Sequence, residues 1–319
     1  MPIQNNQVER IQGQCTICCL GYNHAKFLEN CIESIWSQDY QNLQIVAIDD
    51  GSKDNSVAIL AELQARSPVP MVVIAQANTG NVGRNFNTAF QASTGEFVLF
   101  MSMDDMLFPH AVSEKLKSMN SNPNIAFIAN SKVMKIDEFN NVSEFEMGLK
   151  LHQYVNPTIN DLLDLEFNEL GAFYIQGAIF RSDIISAVEG FDEDMVGDDI
   201  VLRTRVFRHV KSHQDLTFEI FKTAACCYRI HENNIHKNSH RQIRIVALYL
   251  EKYWPGRQPP AVLKIWMEHT IENNPPKIAF ATFLINDITK RYLWSPYLWL
   301  IFLRTTLKHL VSKCAVWKK

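Results

Sequence analysis

The sequence predicts a doubly wound α/β fold, a mostly parallel sheet flanked by helices, with a helical C-terminal extension. Three observations carry this expectation. Short, near-continuous apolar runs alternate with longer helical patterns from the N-terminal region onward, and each of those runs ends in a polar cluster. A balance of 47% apolar to 20% charged residues over 319 positions leaves enough material for a sizeable buried core.

In chain order, the strand-like runs are 15–20 (CTICCL), 43–48 (LQIVAI), 71–76 (MVVIAQ) and 96–101 (EFVLFM). Between them, 25–37, 54–66 and 82–92 place apolar residues at helical spacing, for example Val57, Leu60, Ala61 and Leu63. Past Pro109 the pattern loosens. A helix is expected over 109–119, strands over 125–129 and 132–136, a helix near 159–165 and a strand over 174–180. A turn at 189–192 then leads through Gly197-Asp198-Asp199 into a helix reaching about Val210, and a last strand covers 223–230. Pro255-Gly256 and Pro259-Pro260 punctuate the chain before a helical tail. Three parts follow: residues 1–108, 109–240 and 241–319.

Ligands of doubly wound sheets bind beyond the carboxyl ends of the strands. Those ends are polar here: Gly21-Tyr22-Asn23-His24, Asp49-Asp50-Gly51-Ser52, Asn78-Thr79-Gly80-Asn81 and Ser102-Met103-Asp104-Asp105. Adjacent carboxylates repel and lose hydration when partly buried, so Asp104-Asp105 calls for a neutralising partner such as Mg²⁺ or Mn²⁺. The same pair would also serve as a helix cap, and spacing alone does not choose. Asp49-Asp50 has the same two readings: acceptors for a nucleotide, or support for the turn that starts the next helix. No G-x-G-x-x-G follows the first strand and no G-x-x-x-x-G-K-[ST] occurs, which removes support for dinucleotide and P-loop binding.

A net charge of -3 and a pI near 6.4 argue against nucleic acid as a partner. The seven cysteines form no disulfide framework; Cys15 and Cys18 spell C-x-x-C, but strand alternation sends their thiols to opposite faces. Buried, reduced thiols and a polar N-terminal stretch without a visible leader lead to the expectation of a cytoplasmic protein.

At these residues a family resemblance emerges. The run CTICCLGYNHAKFLENCIESIWSQDYQNLQIVAIDDGSKDNSVAIL resembles the opening of family 2 glycosyltransferases, which have the GT-A nucleotide-sugar-binding fold. Further matches are Asn78-Thr79-Gly80 with Arg84-Asn85, STGEFVLFMSMDD, GFDEDMVGDDIVLRTRVF and YRIHENN, in that order. The resemblance implies that Tyr22, Asn23, Asp50, Asn78, Arg84 and Asp105 belong to the substrate site, and that Asp104 and His231 hold Mg²⁺ or Mn²⁺. It further implies that the Asp198-Asp199 pair is catalytic, with Asp199 as the proton acceptor. Ser102 stands where the family's D-x-D has its first acid. The implied reaction is inverting transfer of a sugar from a nucleoside-diphosphate donor to a saccharide or lipid-linked acceptor hydroxyl, in polysaccharide or glycolipid assembly. Two other readings remain open: a non-catalytic nucleotide-sugar-binding or scaffold subunit of a membrane-associated assembly, and a nucleotidyltransferase, which would need a basic glycine-rich loop.

The tail differs from the rest. From Lys277 onward eight Lys or Arg face a single acid, Asp287, giving +7 locally in a chain of -3. Trp294, Tyr297, Trp299 and Phe302 precede Arg304, Lys308, Lys313, Lys318 and Lys319. That combination suits an anionic membrane surface contacted through 292–319, and a peripheral position on the inner face of the cell membrane. Packing of the apolar run inside the protein is the competing expectation.

Overall fold

The computed structural model describes residues 9–144, 150–195, 199–231 and 239–316. The chain divides into two compact units, Met1–Glu166 with Gly171–His231, and Phe167–Leu170 with Glu232–Lys319.

The first unit opens with β1 (Ile11–Gly21), β2 (Leu43–Asp49), β3 (Met71–Ala75) and β4 (Gly95–Ser102), alternating with α1 (Leu28–Trp36), α2 (Ser56–Ala65) and α3 (Val82–Gln91). These four strands pair in parallel, so Cys15 lies opposite Leu43 on one side and Phe97 on the other. Every residue of β2 is buried, as expected of a parallel strand covered on both faces. Cys15, Cys18, Cys19, Cys31, Cys226 and Cys227 are buried free thiols, and burial raises the pKa of Cys15 to about 12.

Next come β5 (Met106–Leu107), α4 (Ser113–Ser121), β6 (Ile125–Ile136), β7 (Val142–Glu144), α5 (Ile159–Asn168), β8 (Ile179–Arg181), α6 (Ser182–Ala187), α7 (Asp199–Ser212) and β9 (Thr217–Arg229). The sheet runs β3-β2-β1-β4-β8-β6-β9-β5, with β7 beside β6, and it becomes mixed beyond β4 because β8 enters antiparallel to both neighbours.

The differences from expectation lie in this second half. The runs at 125–129 and 132–136 are one strand, whose register against β9 shifts between Asn130 and Lys132. A polar interruption there makes a bulge, not a chain break. The strand expected over 174–180 is reduced to β8, because the chain turns at Gly177 with φ +85. A Cβ on that glycine would sit 2.9 Å from the Ala225 Cβ, so the turn needs glycine for both space and conformation. The helix expected from 109 starts at Ser113, and the strand expected from 223 starts at Thr217.

Phe100 of β4 is fully buried and meets the rings of Phe86, Phe90, Phe180 and Phe191. Phe191 also stacks on Phe86 of α3 at 5.1 Å. Burial of one such side chain contributes about 1.5–3 kcal/mol, enough to clamp the segment after α6 onto α3.

The second unit is helical: α8 (Ser239–Tyr253), α9 (Ala261–Asn273), α10 (Pro276–Phe283), α11 (Asp287–Lys290) and α12 (Pro296–Val316). The Pro/Gly punctuation separates α8 from α9, with Gly256 at φ +79. Asn286 and Thr289 form a capping box on α11, and Asn286 Nδ2 also donates to the Ala247 carbonyl at 2.8 Å. Trp299 and Phe302 of α12 pack on Phe280 and Phe283 of α10. Among the described residues no helix is long and apolar enough to cross a membrane.

Candidate functional site

β1 and β4 are parallel neighbours with Leu20 opposite Ser102, so His24 and Asp104 emerge past the same rim of the sheet. The two-residue strand β5 then pairs antiparallel with β9, Met106 against Cys227. That pairing, invisible in the sequence, carries the end of β9 to the acids. His231 Nε2 lies 2.9 Å from Asp104 Oδ2, and His24 Nε2 lies 3.9 Å from the same oxygen. The three residues offer ligand atoms that all fall within 4.8 Å of one another.

The cluster is desolvated and partly unsatisfied. Asp104 is 7% exposed and Asp105 0%. Among the described residues, Asp104 Oδ1, Asp105 Oδ2 and His24 Nδ1 are buried without a hydrogen-bond partner. Burial works against the Asp104 charge, but the His231 hydrogen bond and His24 outweigh it and hold its pKa below the usual value. Burial, and then the Asp104 charge, push Asp105 well above the usual carboxylate range. Burial also lowers the pKa of His24, favouring the neutral imidazole that a metal requires. Arg229 is the clamp behind the pair: its backbone N–H donates to Asp105 Oδ1 at 2.8 Å and its Nε to the Asp104 carbonyl at 2.6 Å. Its guanidinium also donates to the Asp137 carbonyl.

Beside β2 a second group of expected residues comes together. Asp50 accepts from Thr79 N at 2.8 Å, Thr79 Oγ1 at 3.0 Å, Gln76 Nε2 at 3.2 Å and Gly80 N at 3.1 Å. Asn78 Nδ2 donates to the Asp50 carbonyl at 2.8 Å. Gly51, at φ +74, permits this approach, since a Cβ there would lie 2.5 Å from Asn78 N. Asn23, at φ +56, accepts from Lys53 N at 2.7 Å and donates its own N–H to Ser52 Oγ at 2.8 Å, which joins the first strand end to the second. Tyr22 stands 41% exposed beside it. Arg84 pairs with Glu193, its Nε 3.3 Å from Glu193 Oε2. Glu193 is fixed in turn by Asn87 Nδ2 at 3.0 Å.

Asp199 opens α7 and belongs to a third arrangement. Its Oδ1 accepts from Ile200 N at 2.7 Å and its Oδ2 from Arg203 at 2.6 Å, one turn along the helix. Arg203 also donates from Nε to Glu166 Oε1 at 2.6 Å, and Glu166 accepts from Ala172 N at 3.0 Å. Both inner partners are buried, yet the Asp199 side chain remains 37% exposed. Burial opposes the Arg203 charge, but Asp199 and Glu166 together raise its pKa above the ordinary value. Asp198, the other acid expected there, lies outside the described residues. The rings of Tyr174 and Tyr228 meet at 5.5 Å, and both phenols are pushed up by burial and then by acids of both clusters, Asp105 and Asp199.

Sequence reasoning did not select His24, Arg229, Glu166 or Arg203. His24 had a signal, its place in a polar strand end, and Arg203 stands four residues after Asp199 on one helix face. Glu166 had none, since its partner is distant in the chain.

The family model for glycosyl transferase family 2 matches residues 16–186, more than half of the chain, and the chain belongs to that family. It is 43% identical over 89 residues to an uncharacterized glycosyltransferase of Nostoc sp., covering 28% of this chain and 27% of that one. It is 24% identical over 201 residues to the GalNAc(5)-diNAcBac-PP-undecaprenol beta-1,3-glucosyltransferase of Campylobacter jejuni, covering 63% and 62%. Those matches span less than two thirds of each relative's length. Among solved structures, S. aureus TarS in complex with UDP-GlcNAc aligns with TM-score 0.59 at 14% identity, over 92% of this chain and 79% of that one. The mannosyltransferase PcManGT of Pyrobaculum calidifontis, in complex with GDP-Man and Mn²⁺, aligns with TM-score 0.55 at 16% identity, over 94% and 87%. The fold is of the GT-A type.

Proposed function

We propose that this family 2 chain is an inverting, metal-dependent glycosyltransferase that moves a sugar from a nucleoside-diphosphate donor to an acceptor hydroxyl. The observation that carries the proposal is the buried His24–Asp104–His231 cluster at the carboxyl rim of the parallel strands, with ligand atoms within 4.8 Å. Its chemistry fits a divalent cation: among the described residues Asp104 Oδ1 and His24 Nδ1 are buried polar atoms without hydrogen-bond partners. His24, Asp104 and His231 would hold the ion, so that an imidazole takes over for the acid that Ser102 replaces. Two imidazoles beside one carboxylate favour Mn²⁺ over Mg²⁺, whose preferred ligands are oxygens.

When bound, such a cation neutralises charge that develops on the departing diphosphate. The chain's own groups do the rest. Tyr22 offers an exposed ring face to a base, and Asn23, Asp50 and Asn78 knit the first three strand ends into a donor pocket. Arg84 would exchange Glu193 for the donor's diphosphate. Asp105, held by Arg229, supports Asp104 from behind. Asp199 is the proposed general base: Arg203 and the Ile200 N–H fix its carboxylate, while its exposure leaves room for an acceptor hydroxyl. Asp198 remains proposed as its acidic neighbour.

The acceptor is proposed to be a saccharide or lipid-linked saccharide. The Campylobacter relative, whose name gives an undecaprenol-linked substrate, supports that class. Work at the inner face of the cell membrane is part of the same proposal. The test is nucleoside-diphosphate release across a panel of sugar nucleotides, with and without chelator and with Mn²⁺ or Mg²⁺ restored. The expected result is release from one donor, silenced by chelation and restored better by Mn²⁺. Binding of a donor without release under any acceptor would instead establish a non-catalytic subunit.

A further inference from the structure

α12 buries one side and presents a second apolar side to solvent. Leu298, Ile301 and Thr305 face inward, at 0%, 9% and 9% exposure. On the opposite side Leu300, Leu303, Leu307 and Leu310 are 66%, 54%, 62% and 55% exposed. Spacings of three, four and three residues put these leucines on a single stripe along the helix. Among the described residues, four exposed leucines in a row are more than the scattered exposure normal for a surface. Arg304 and Lys308, both exposed, border the stripe along one edge, and Trp294, 88% exposed, stands just before the helix.

Three occupants are conceivable for such a stripe, and the charges separate them. A membrane crossing is excluded for this helix by Arg304 and Lys308 in its middle. A second copy would pair leucines at heptad-like spacing, but α12 contains no Asp or Glu to meet the basic edge, so two copies would set like charges along the seam. An anionic lipid surface accepts both features at once, apolar side chains below the headgroups and basic ones among them.

We infer that α12 lies in the plane of an anionic membrane surface, with Leu300, Leu303, Leu307 and Leu310 inserted and Arg304 and Lys308 at the phosphate level. This rests on the geometry of α12 and deepens the membrane location proposed above; its failure would leave the transfer chemistry, tested by nucleoside-diphosphate release, untouched.

The test is co-sedimentation of the full chain with phosphatidylcholine vesicles containing about a third of phosphatidylglycerol, compared with pure phosphatidylcholine. Binding to the anionic vesicles, lost in about 0.5 M salt, is expected. Leu303→Glu/Leu307→Glu should lower the partition coefficient at least about tenfold, by removing buried apolar contact and adding negative charge. Arg304→Glu/Lys308→Glu should lower it by about 25-fold or more, since each basic residue near such a surface contributes about fivefold and the substitutions also reverse the charge. All four positions are exposed, so unchanged thermal melting is the expected folding control, and the charge pair tests the idea even if the leucine pair misfolds. Equal partition of wild type and both variants overturns the inference. So does a lipid-free dimer that the leucine variant breaks, which would hand the stripe to a second copy.

Discussion

The two acidic clusters of the first unit are built to opposite rules. Among the described residues around Asp199 the charged groups answer one another: Arg203 spans Asp199 and Glu166, and Glu166 also takes the Ala172 N–H. Around Asp104 the acids are more deeply buried than Asp199, but among the described residues Asp104 Oδ1, Asp105 Oδ2 and His24 Nδ1 have no hydrogen-bond partner. A buried polar atom without a partner costs about 1–3 kcal/mol, and three of them in one cluster are what supports the proposed cation site. The first cluster fixes one carboxylate by hydrogen bonds, and the second leaves three buried polar atoms unmatched among the described residues.

That contrast breaks most easily at Asp199. Asp199→Asn keeps the shape and removes the basicity, and kcat should fall by about 10²–10⁴ with donor KM little changed. More than about a tenth of wild-type turnover in the variant would show that Asp199 is not the base. Second in size, Glu166→Ala leaves Arg203 buried beside a single partner. Loss of about 3–5 kcal/mol is expected for breaking a buried pair, read as a lowered denaturation midpoint at unchanged m-value. A surface-like change below about 1 kcal/mol would mean that the triad is not structurally tight.

Lys115 provides a control outside both clusters. It is 1% exposed, donates to the Ala111 carbonyl at 2.8 Å, and burial lowers its pKa to about 8. Between about 8 and the ordinary lysine value of 10.5 the unfolded chain binds the proton and the folded chain does not, so stability rises with pH across that window. Lys115→Met should therefore stabilise the protein by about 3 kcal/mol at pH 7, with the gain fading as pH climbs through the window. A gain that does not depend on pH would assign the effect to packing. Smallest of all, His24→Ala or His231→Ala should weaken Mn²⁺ binding about 10–100-fold by calorimetry, with the thermal midpoint of the metal-free protein unchanged or raised. Unaltered Mn²⁺ affinity in both variants would remove the histidines from the site.

How far each cluster could be read in the sequence follows the same division. Asp104 and Asp50 announce themselves, because an apolar strand that ends in carboxylates leaves a periodic signal over a few residues. His231 was reachable through its resemblance to a family motif, but its 2.9 Å approach to Asp104 depends on β5, two residues that pair with β9 across more than a hundred positions. Glu166 sits in an ordinary amphipathic helix, and nothing local distinguishes an acid that will meet Arg203 from one that will face water. The bulge in β6 and the turn at Gly177 were missed for a related reason: each is set by the neighbouring strand β9, not by the residues on either side.

Local pattern by itself determined the parallel half of the sheet, the polar strand ends and the helical, basic tail, since strand and helix periodicities and charge density are properties of contiguous residues. Tertiary structure alone decided which buried groups would be satisfied and which left open, and which side of α12 would face outward with its leucines. Those outcomes depend on side chains meeting across long stretches of chain, where the desolvation of one group is set by partners that no local window contains.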